Sequence, residues 1–439
     1  MIMSTMPEKA LNNLATEGHR SKAMSIPFNI PLNNDTTFGS VLPQAFECGS
    51  LFKGRYASKV HQFFKEQYGA QEAVLTASCT NALELAALLL DIKKGDEVII
   101  PAYTYVSTAN AFELRGARLR LCDSAANTPN IDLQKLETLI TPKTKAIVVI
   151  HYAGICIDMY RLKEIAQKHN VYLIEDAAHA IDAYYDSRRL GSFGDLSAFS
   201  FHETKNVTSG QGGILLINNK ELVERARILR DCGTNRHNFY LGLVDKYTWI
   251  DVGSVFNLSE LCCAYLYPQL ANLRFITQKR LQLWNNYRDA LLPLQKKGLF
   301  QLPVVSDLCE HNAHIFYLTL KNRKERDRLL LYLKERGVVA TFHYSSLHQC
   351  PYYQEKYKRT KLPNAEMYSG NLLRLPLYFD LSFEQQAYIL ECIGDYFETP
   401  KRRRHSANAY MAIPLYLNPI LEEGGMIANV VKSIFPFIG

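Results

Sequence analysis

The residue in this sequence with the clearest capacity for covalent chemistry is Lys205. It follows the apolar, β-prone run 196–201, hydroxyl side chains flank it, and the glycine-rich run 210–213 lets the backbone turn tightly beside it. A lysine amine attacks an aldehyde or ketone only when it is neutral, and burial lowers its pKa toward that state. Pyridoxal phosphate is therefore a candidate partner, although a lysine in such a loop is more often simply solvated.

Asp176 is the second candidate, 29 residues before that lysine and just after the apolar run 171–174. A carboxylate held against a pyridine nitrogen keeps the nitrogen protonated, and a protonated ring is the electron sink that transamination needs. The alternative is that Asp176 caps a helix at the end of a buried strand.

Residues 78–81 form a candidate phosphate site. The apolar residues 73–75 lead into Ser78-Cys79-Thr80-Asn81 and then into the helical run 82–90, so this segment lies at a helix N-terminus, where free N–H groups attract anions. A plain N-cap is the commoner outcome of such a pattern. Tyr105 follows the next predicted strand and is either a core side chain or a flat face for a cofactor ring.

Strands alternate with helices along most of the chain, which predicts an α/β fold with a mostly parallel sheet. Active sites of such sheets lie beyond the carboxyl ends of the strands. We also predict one helix over 43–69. The predicted strands are 98–100, 118–122, 146–151, 171–174, 196–201 and 214–218 in the large domain, and 314–320 and 338–342 in the small one. The predicted divisions are a polar N-terminal extension (1–25), a large cofactor-binding α/β domain (26–275), a small C-terminal α+β domain (276–398) and a tail (399–439).

The composition of the 439 residues is that of an ordinary globular protein, with 47% hydrophobic and 21% charged residues. The net charge of +7 is spread along the chain except at residues 401–404, which argues against a nucleic-acid surface and suits an anionic substrate. Ten cysteines without disulfide or metal spacing indicate thiols in a reducing cytoplasm. No apolar run is long enough to span a membrane. The tail is either a packing segment or an amphipathic segment that touches a membrane.

Four separated motifs resemble those of the DegT/DnrJ/EryC1/StrS family of sugar-nucleotide aminotransferases: 78–80, 95–101, 175–179 and 199–205. The likeness covers about residues 26–397. It implies an α/β transferase of fold type I that depends on pyridoxal 5′-phosphate and works as a homodimer with active sites at the subunit interface. A dehydratase on this scaffold would need histidine in place of Lys205, and a nicotinamide-dependent enzyme would need a G-x-G-x-x-G segment, which 78–81 lacks.

The resemblance also implies roles for individual residues. Lys205 would form a Schiff base with the cofactor aldehyde, and Asp176 would pair with the ring nitrogen. Ser200 and the backbone at Cys79 and Thr80 would hold the phosphate. Further cofactor contacts are expected from Tyr105 over the ring, His179 near the ring hydroxyl and Asn257 from the partner subunit, and weaker substrate contacts from Lys246, Tyr247, Tyr344 and His348.

Four other segments are most similar to family members that act on dTDP-linked 4-keto sugars: 151–154, 245–249, 312–314 and 342–344. The implied reaction converts dTDP-4-dehydro-6-deoxy-D-glucose and L-glutamate into dTDP-4-amino-4,6-dideoxy-D-galactose and 2-oxoglutarate, for surface-polysaccharide synthesis. The gluco epimer, another keto sugar and a non-catalytic binding protein of the same fold stay open as alternatives.

Three departures from the family pattern remove no catalytic group. Gln211 replaces a glutamate that is usual near the lysine, the loop at Lys53-Gly54-Arg55 is poorer in glycine, and Ser345 stands where proline is usual. We expect the first to change the basicity of the lysine or the packing of subunits, and the others to change the shape of the substrate site.

Overall fold

The computed structural model describes residues 25–32, 35–47, 54–357 and 360–398. The predicted N-terminal extension, apart from Ser25, lies outside the described residues. So do Lys53 of the glycine-poor loop and the whole predicted tail at 399–439.

The strands in chain order are β1 (Glu72–Thr76), β2 (Glu97–Pro101), β3 (Arg118–Cys122), β4 (Thr144–Ile150), β5 (Tyr172–Asp176), β6 (Tyr184–Tyr185), β7 (Arg188–Arg189), β8 (Leu196–Ser200), β9 (Gly213–Ile217), β10 (Phe300–Gln301), β11 (Cys309–Glu310), β12 (Phe316–Leu320) and β13 (Leu372–Leu375). The helices are α1 (Asp35–Glu47), α2 (Arg55–Tyr68), α3 (Cys79–Leu89), α4 (Val106–Glu113), α5 (Leu133–Thr138), α6 (Met159–Lys168), α7 (Val223–Arg230), α8 (Arg236–Tyr240), α9 (Glu260–Ala271), α10 (Leu273–Lys296), α11 (Arg323–Lys334), α12 (Pro351–Lys356), α13 (Pro363–Asn371) and α14 (Phe383–Glu398).

The central sheet has the strand order β1-β9-β8-β5-β4-β2-β3. All neighbours from β8 to β3 are parallel, and β9 runs antiparallel to both β8 and β1. Strands β2 and β9 are buried along their whole length, as expected for a sheet covered by helices on both faces. The predicted mostly parallel α/β sheet is confirmed.

The single helix predicted over 43–69 is wrong, because two helices, α1 and α2, occupy this part of the chain. Gly54 precedes α2 in an extended conformation and has Glu260 packed against it, at 2.2 Å from where a Cβ would stand. The Glu260 carboxylate accepts hydrogen bonds from the first amides of α2, those of Tyr56 and Ala57. A side chain from another helix therefore starts α2 at this point, which local periodicity does not encode.

A second hydrophobic cluster lies between α10, α11, α14 and the small sheet β10-β12-β13. The predicted strand at 338–342 is wrong: Val338 and Thr341 make only isolated bridges, to Ile26 and to Arg374. The edge of β12 pairs instead with β13, which the sequence analysis did not predict. The division at 275/276 stays a prediction. That position lies inside α10, and residues of α12 and α13 pack on the core of the large sheet.

One edge of the central sheet positions the polar residues of interest. The carboxyl ends of β1, β2, β4, β5 and β8 meet there because these strands run in the same direction. Residues 341–344, β13 and the N-terminal segment 25–32 face that edge across a cavity. None of the described helices is both long and apolar enough to cross a lipid bilayer.

Candidate active site

The cavity at this edge has a volume of about 630 Å³ and is lined from both sides. Its sheet side carries most of the predicted cofactor-binding residues, and its opposite wall carries Phe28, residues 341–344 and Arg374. The structure brings together the following predicted residues: Cys79, Thr80, Tyr105, Asp176, His179, Ser200, Lys205 and Tyr344.

Lys205 lies in a tight loop between β8 and β9. The loop is closed by backbone hydrogen bonds, from Lys205 N to His202 O at 2.9 Å and from Ser209 N to Phe201 O at 2.9 Å. The pKa of Lys205 is lowered to about 8, chiefly by burial and also by the charge of Arg374, against the opposing effects of Cys79 and Asp176. At pH 7 about a tenth of these amines are then neutral, which favours attack on a carbonyl.

Asp176 ends β5 and presents its carboxylate to the cavity. Thr108 Oγ1 donates a hydrogen bond to Asp176 Oδ2 at 2.7 Å, and the Ala178 amide donates to Oδ1 at 3.2 Å. Burial nevertheless raises the pKa of Asp176 above its ordinary value. A cation placed against it, such as a protonated pyridine nitrogen, would stabilise the charged form, so this carboxylate fits the ring nitrogen of pyridoxal phosphate.

Glu175, the neighbour of Asp176, faces the other side of the sheet because side chains alternate along a strand. Its carboxylate accepts hydrogen bonds from the amides of Gly191, Phe193 and Gly194, each at 2.7 Å, and bonds to His151 Nε2 at 2.9 Å. Burial acts to raise the pKa of Glu175, but these partners lower it below its ordinary value. Glu175 is thus a fully bonded structural carboxylate, and Asp176 alone is directed to the cavity.

The N-terminus of α3 forms an anion cup. The Ser78 hydroxyl caps the Asn81 amide at 3.1 Å, and the amides of Cys79 and Thr80 stand in the first turn, where a helix offers no partner of its own. Gly213 lies so close that a Cβ there would be 2.5 Å from the Cys79 nitrogen. Thr80, Ser107 and Ser200 add hydroxyls to the lining, and the group fits the phosphate of the cofactor.

His179 lies beside His314, with the two ring centres 4.4 Å apart. The His314 Nδ1 bonds to Asn206 Oδ1 at 2.8 Å. Burial, together with the positive charge of Lys205, holds the pKa of His179 well below its ordinary value. His179 is therefore neutral and can exchange a hydrogen bond with a ring hydroxyl without adding charge.

Tyr105 stands at the start of α4 with 57% of its surface exposed, so it is not a core residue. Its ring centre lies 6.0 Å from that of Tyr344, and both line the cavity. An exposed aromatic face at the cavity mouth is free to cover a flat ligand ring.

Several contributors to the cavity were not predicted as site residues, among them Thr108, Arg374 and Phe28. Thr108 follows Thr104 by one helical turn, and that spacing after a strand end is a signal present in the sequence. Arg374 interrupts the apolar run 372–377, and a charged residue in a buried strand is a second such signal. Phe28 comes from the N-terminal segment and has no distinguishing pattern.

Four predicted residues do not line this cavity. The His348 imidazole is bonded to Ser346 Oγ and to Glu366 Oε1 at 2.9 Å each and does not line the cavity, so its substrate contact stays a prediction. Lys246, Tyr247 and Asn257 belong to the segment 237–257, much of which is exposed, and lie apart from the cavity of their own subunit. Their roles stay predictions.

Among protein families, residues 34–394 match the model of the DegT/DnrJ/EryC1/StrS aminotransferase family. That span is more than half of the 439-residue chain. The cofactor of this family is pyridoxal 5′-phosphate.

Solved structures similar to this chain come from several bacteria. DesV of S. venezuelae, solved with a ketimine intermediate, is 30% identical with a TM-score of 0.75, and the match covers 83% of this chain and 95% of DesV. An aminotransferase from Psychrobacter cryohalolentis is 25% identical with a TM-score of 0.79, covering 84% and 99%. The PLP form of Spr1654 from Streptococcus pneumoniae is 24% identical with a TM-score of 0.78, covering 87% and 100%. The shared architecture is fold type I of the pyridoxal phosphate enzymes.

Proposed function

Because the chain belongs to the DegT/DnrJ/EryC1/StrS aminotransferase family, we propose that it transfers an amino group from L-glutamate to the C4 ketone of dTDP-4-dehydro-6-deoxy-D-glucose. The products would be dTDP-4-amino-4,6-dideoxy-D-galactose and 2-oxoglutarate. The observation that carries the proposal is the pairing, in one cavity, of a lysine with a lowered pKa and a buried carboxylate that makes no ion pair among the described residues.

Different residues of the cavity would hold different groups of the cofactor. The amides of Cys79 and Thr80, with the hydroxyl of Ser200, would hold its phosphate, and Asp176 would hold its ring nitrogen. His179 would bond to the ring hydroxyl. Pyridoxal phosphate, when bound, supplies the carbonyl that carries the amino group and the ring that withdraws electrons.

Lys205 would move the protons of the reaction. As a neutral amine it takes the proton from the α-carbon of glutamate, and as an ammonium group it delivers a proton to C4 of the sugar. A pKa near 8 suits both tasks near neutral pH. The face of the sugar turned toward Lys205 decides between the galacto and gluco products. We propose the galacto product on the likeness of segments 245–249 and 342–344 to enzymes of that reaction.

We further propose that two copies of the chain form each active site. Apolar side chains between residues 239 and 255 are exposed, with Trp249 at 81% and Leu243 at 69%, and a second subunit would cover them. In this arrangement Asn257, Lys246 and Tyr247 would reach the cavity of the partner.

Nine described cysteines are free thiols, which supports a place in the reducing cytoplasm.

The test is the visible absorption spectrum of the protein loaded with pyridoxal phosphate, followed while glutamate and then the keto sugar are added. We expect glutamate to bleach the cofactor band and the sugar to restore it, with NMR coupling at C4 of the product reporting the galacto epimer. A protein that binds the cofactor but shows neither change would be a binding protein of this fold.

Lys205→Ala should abolish both changes, and Lys220→Ala is the matched control because Lys220 is exposed and outside the cavity. Transamination by Lys205→Ala at the wild-type rate would contradict the proposed role of the lysine.

A further inference from the structure

Cys156 and Cys309, which are 153 residues apart in sequence, lie against each other in the fold. Cys156 follows the short turn at 152–154, and Cys309 belongs to β11, which pairs with β6. The Cys156 amide donates a hydrogen bond to Cys309 Sγ at 3.2 Å, and the two thiols are hydrogen-bonded to each other. The two residues expose 6% and 7% of their surfaces, so their burial is incomplete. Two thiols in contact are the starting arrangement for a disulfide.

The two thiols differ in acidity. The hydrogen bond from the Cys156 thiol, supported by the bond from its amide, holds the pKa of Cys309 below its ordinary value, although burial and Glu310 act in the opposite direction. The same contact between the thiols, together with burial, raises the pKa of Cys156. Oxidants react with thiolates and not with thiols. Cys309 is therefore the residue that is oxidised first, and Cys156 is the neighbour that completes the reaction.

We propose that Cys156 and Cys309 form a modification site, at which hydrogen peroxide makes a reversible disulfide that weakens the binding of pyridoxal phosphate. The Cys309 thiolate attacks one peroxide oxygen, the O–O bond breaks, and a sulfenic acid and hydroxide result. The Cys156 sulfur then attacks the sulfenic sulfur, so that the S–S bond forms as the S–O bond breaks. The two thiol protons leave with the two oxygens as water, and the two sulfurs give two electrons to the peroxide.

A dithiol reductant reverses this modification by exchange. In a reducing cytoplasm, a disulfide of this kind persists only while oxidant is present, as in redox sensors. The inference adds regulation to the proposed function and rests on its cofactor site, but it does not depend on which sugar is aminated.

Both cysteines lie three residues from groups that hold His179. Asn312 Nδ2 donates a hydrogen bond to the backbone carbonyl of His179 at 2.8 Å. From the other segment, the Ala153 amide donates to His179 Nδ1 at 3.4 Å. The two segments are packed so closely that a Cβ on Gly154 would stand 2.0 Å from Asn312 Oδ1. A displacement of either segment therefore reaches His179 directly.

Closing the disulfide requires such a displacement. The two sulfurs must approach from hydrogen-bond contact to a bond length of about 2 Å, and the segments 152–156 and 309–312 must move with them. Close-packed interiors transmit a shift of this kind instead of absorbing it. His179, which is expected to bond to the ring hydroxyl of the cofactor, would lose that hydrogen bond. The loss of one hydrogen bond weakens binding by about 10-fold.

The first measurement is a peptide map of full-length protein that carries pyridoxal phosphate, before and after treatment with hydrogen peroxide. Trypsin places the two cysteines in the peptides 146–161 and 298–321, each of which contains a single cysteine. We expect peroxide to join these peptides with the loss of two hydrogen atoms, and dithiothreitol to separate them. Treated protein in which these peptides stay apart would overturn the inference. The map uses wild type alone, so it is decisive even where a variant fails to fold.

The second measurement is the dissociation constant of pyridoxal phosphate, determined by titration after the peroxide has been removed. We expect oxidation to raise this constant about 10-fold in wild type and dithiothreitol to restore it. Cys156→Ser and Cys309→Ser should keep the affinity of reduced wild type after the same treatment. Cys232→Ser is the matched control, because it removes an exposed thiol and should respond to peroxide as wild type does.

Two results of the titration would overturn the inference. One is an unchanged affinity in wild type that carries the disulfide. The other is a peroxide effect that survives in Cys309→Ser, because the oxidised thiol would then be another one, such as Cys79 in the cavity. A protein that forms the disulfide and loses cofactor affinity but does not aminate the keto sugar would defeat the proposed substrate and leave this inference standing.

Discussion

The lowered pKa of Lys205 should make the rate of cofactor binding depend on pH in a range where an ordinary lysine would stay protonated. Its pKa is lowered from 10.5 to about 8, and only the neutral amine attacks the cofactor aldehyde. In protein freed of cofactor, the rate of recombination with pyridoxal phosphate should therefore rise with pH and level off above about pH 8. A stopped-flow absorbance series across this range measures it.

The same shift changes stability with a definite sign. Between about pH 8 and 10.5 the unfolded chain binds more protons at this lysine than the folded chain does, so the contribution of Lys205 to the stability of the cofactor-free protein rises with pH through that window. Lys205→Met removes the titrating group, so the free energy of unfolding of wild type minus that of the variant, measured in urea, should rise with pH across this window. A recombination rate that still climbs steeply above pH 9 would mean that Lys205 has the pKa of a solvated lysine.

Single residues were predictable where their chemistry is unusual for their surroundings. Lys205 and Asp176 stood out because a nucleophile and a carboxylate followed buried strands at an edge where such strands meet. Arg374 was not predicted because its place in the cavity depends on contacts with Phe28 and His343, which come from segments more than 300 and 30 residues away in sequence. No local sequence pattern indicates contacts of this kind. The bond between His348 and Glu366 could likewise not be predicted from a local pattern.

At the scale of elements, the alternation of strands and helices was predicted well because a parallel sheet requires apolar strands joined by helices. The wrong predictions lie at positions where a contact with residues distant in sequence determines whether a helix or a strand forms. The carboxylate of Glu260 starts α2 by bonding to its first amides, and pairing with β12 makes a strand of residues 372–375 and not of 338–342. Tertiary contacts therefore set the bounds of these elements.

The junction before α2 yields a prediction at this scale. Gly54→Ala should destabilise the protein by about 2 kcal/mol, because the new Cβ would meet the Glu260 carboxylate and push it from the amides of Tyr56 and Ala57. Urea unfolding of the cofactor-free protein measures the loss. The backbone of Gly54 has φ −92°, so alanine brings no conformational strain of its own.

Gly39→Ala is the matched control for this substitution. Gly39 lies in α1, and a Cβ there would meet nothing within 4 Å. Alanine should leave stability within about 0.5 kcal/mol or raise it slightly, since it favours a helix more than glycine does. Similar free energies of unfolding for the two variants would show that Glu260 does not hold the start of α2.

At the scale of the whole molecule, the exposed apolar side chains at 239–255 form the surface that the proposed dimer would bury. Leu243, Trp249 and Val255 expose 69%, 81% and 64% of their surfaces. Isolated apolar residues are common on protein surfaces, but a run of this kind is typical of an interface. Trp249→Asp combined with Val255→Asp should therefore shift the protein from dimer to monomer in sedimentation velocity. Phe275→Asp is a control, because Phe275 is exposed at 62% outside this segment.

The decisive prediction concerns which subunit supplies Asn257. If Asn257 serves the partner's cavity, Lys205→Ala and Asn257→Asp chains, each inactive alone, should recover activity when they are unfolded together and refolded. Random pairing makes half of the dimers mixed, and one of the two sites in each mixed dimer has both an intact Lys205 and an intact Asn257. About a quarter of wild-type activity should return, because sites in a dimer of this kind combine residues of both chains. If Asn257 served its own subunit's site, every site in the mixture would keep a defect and no activity would return.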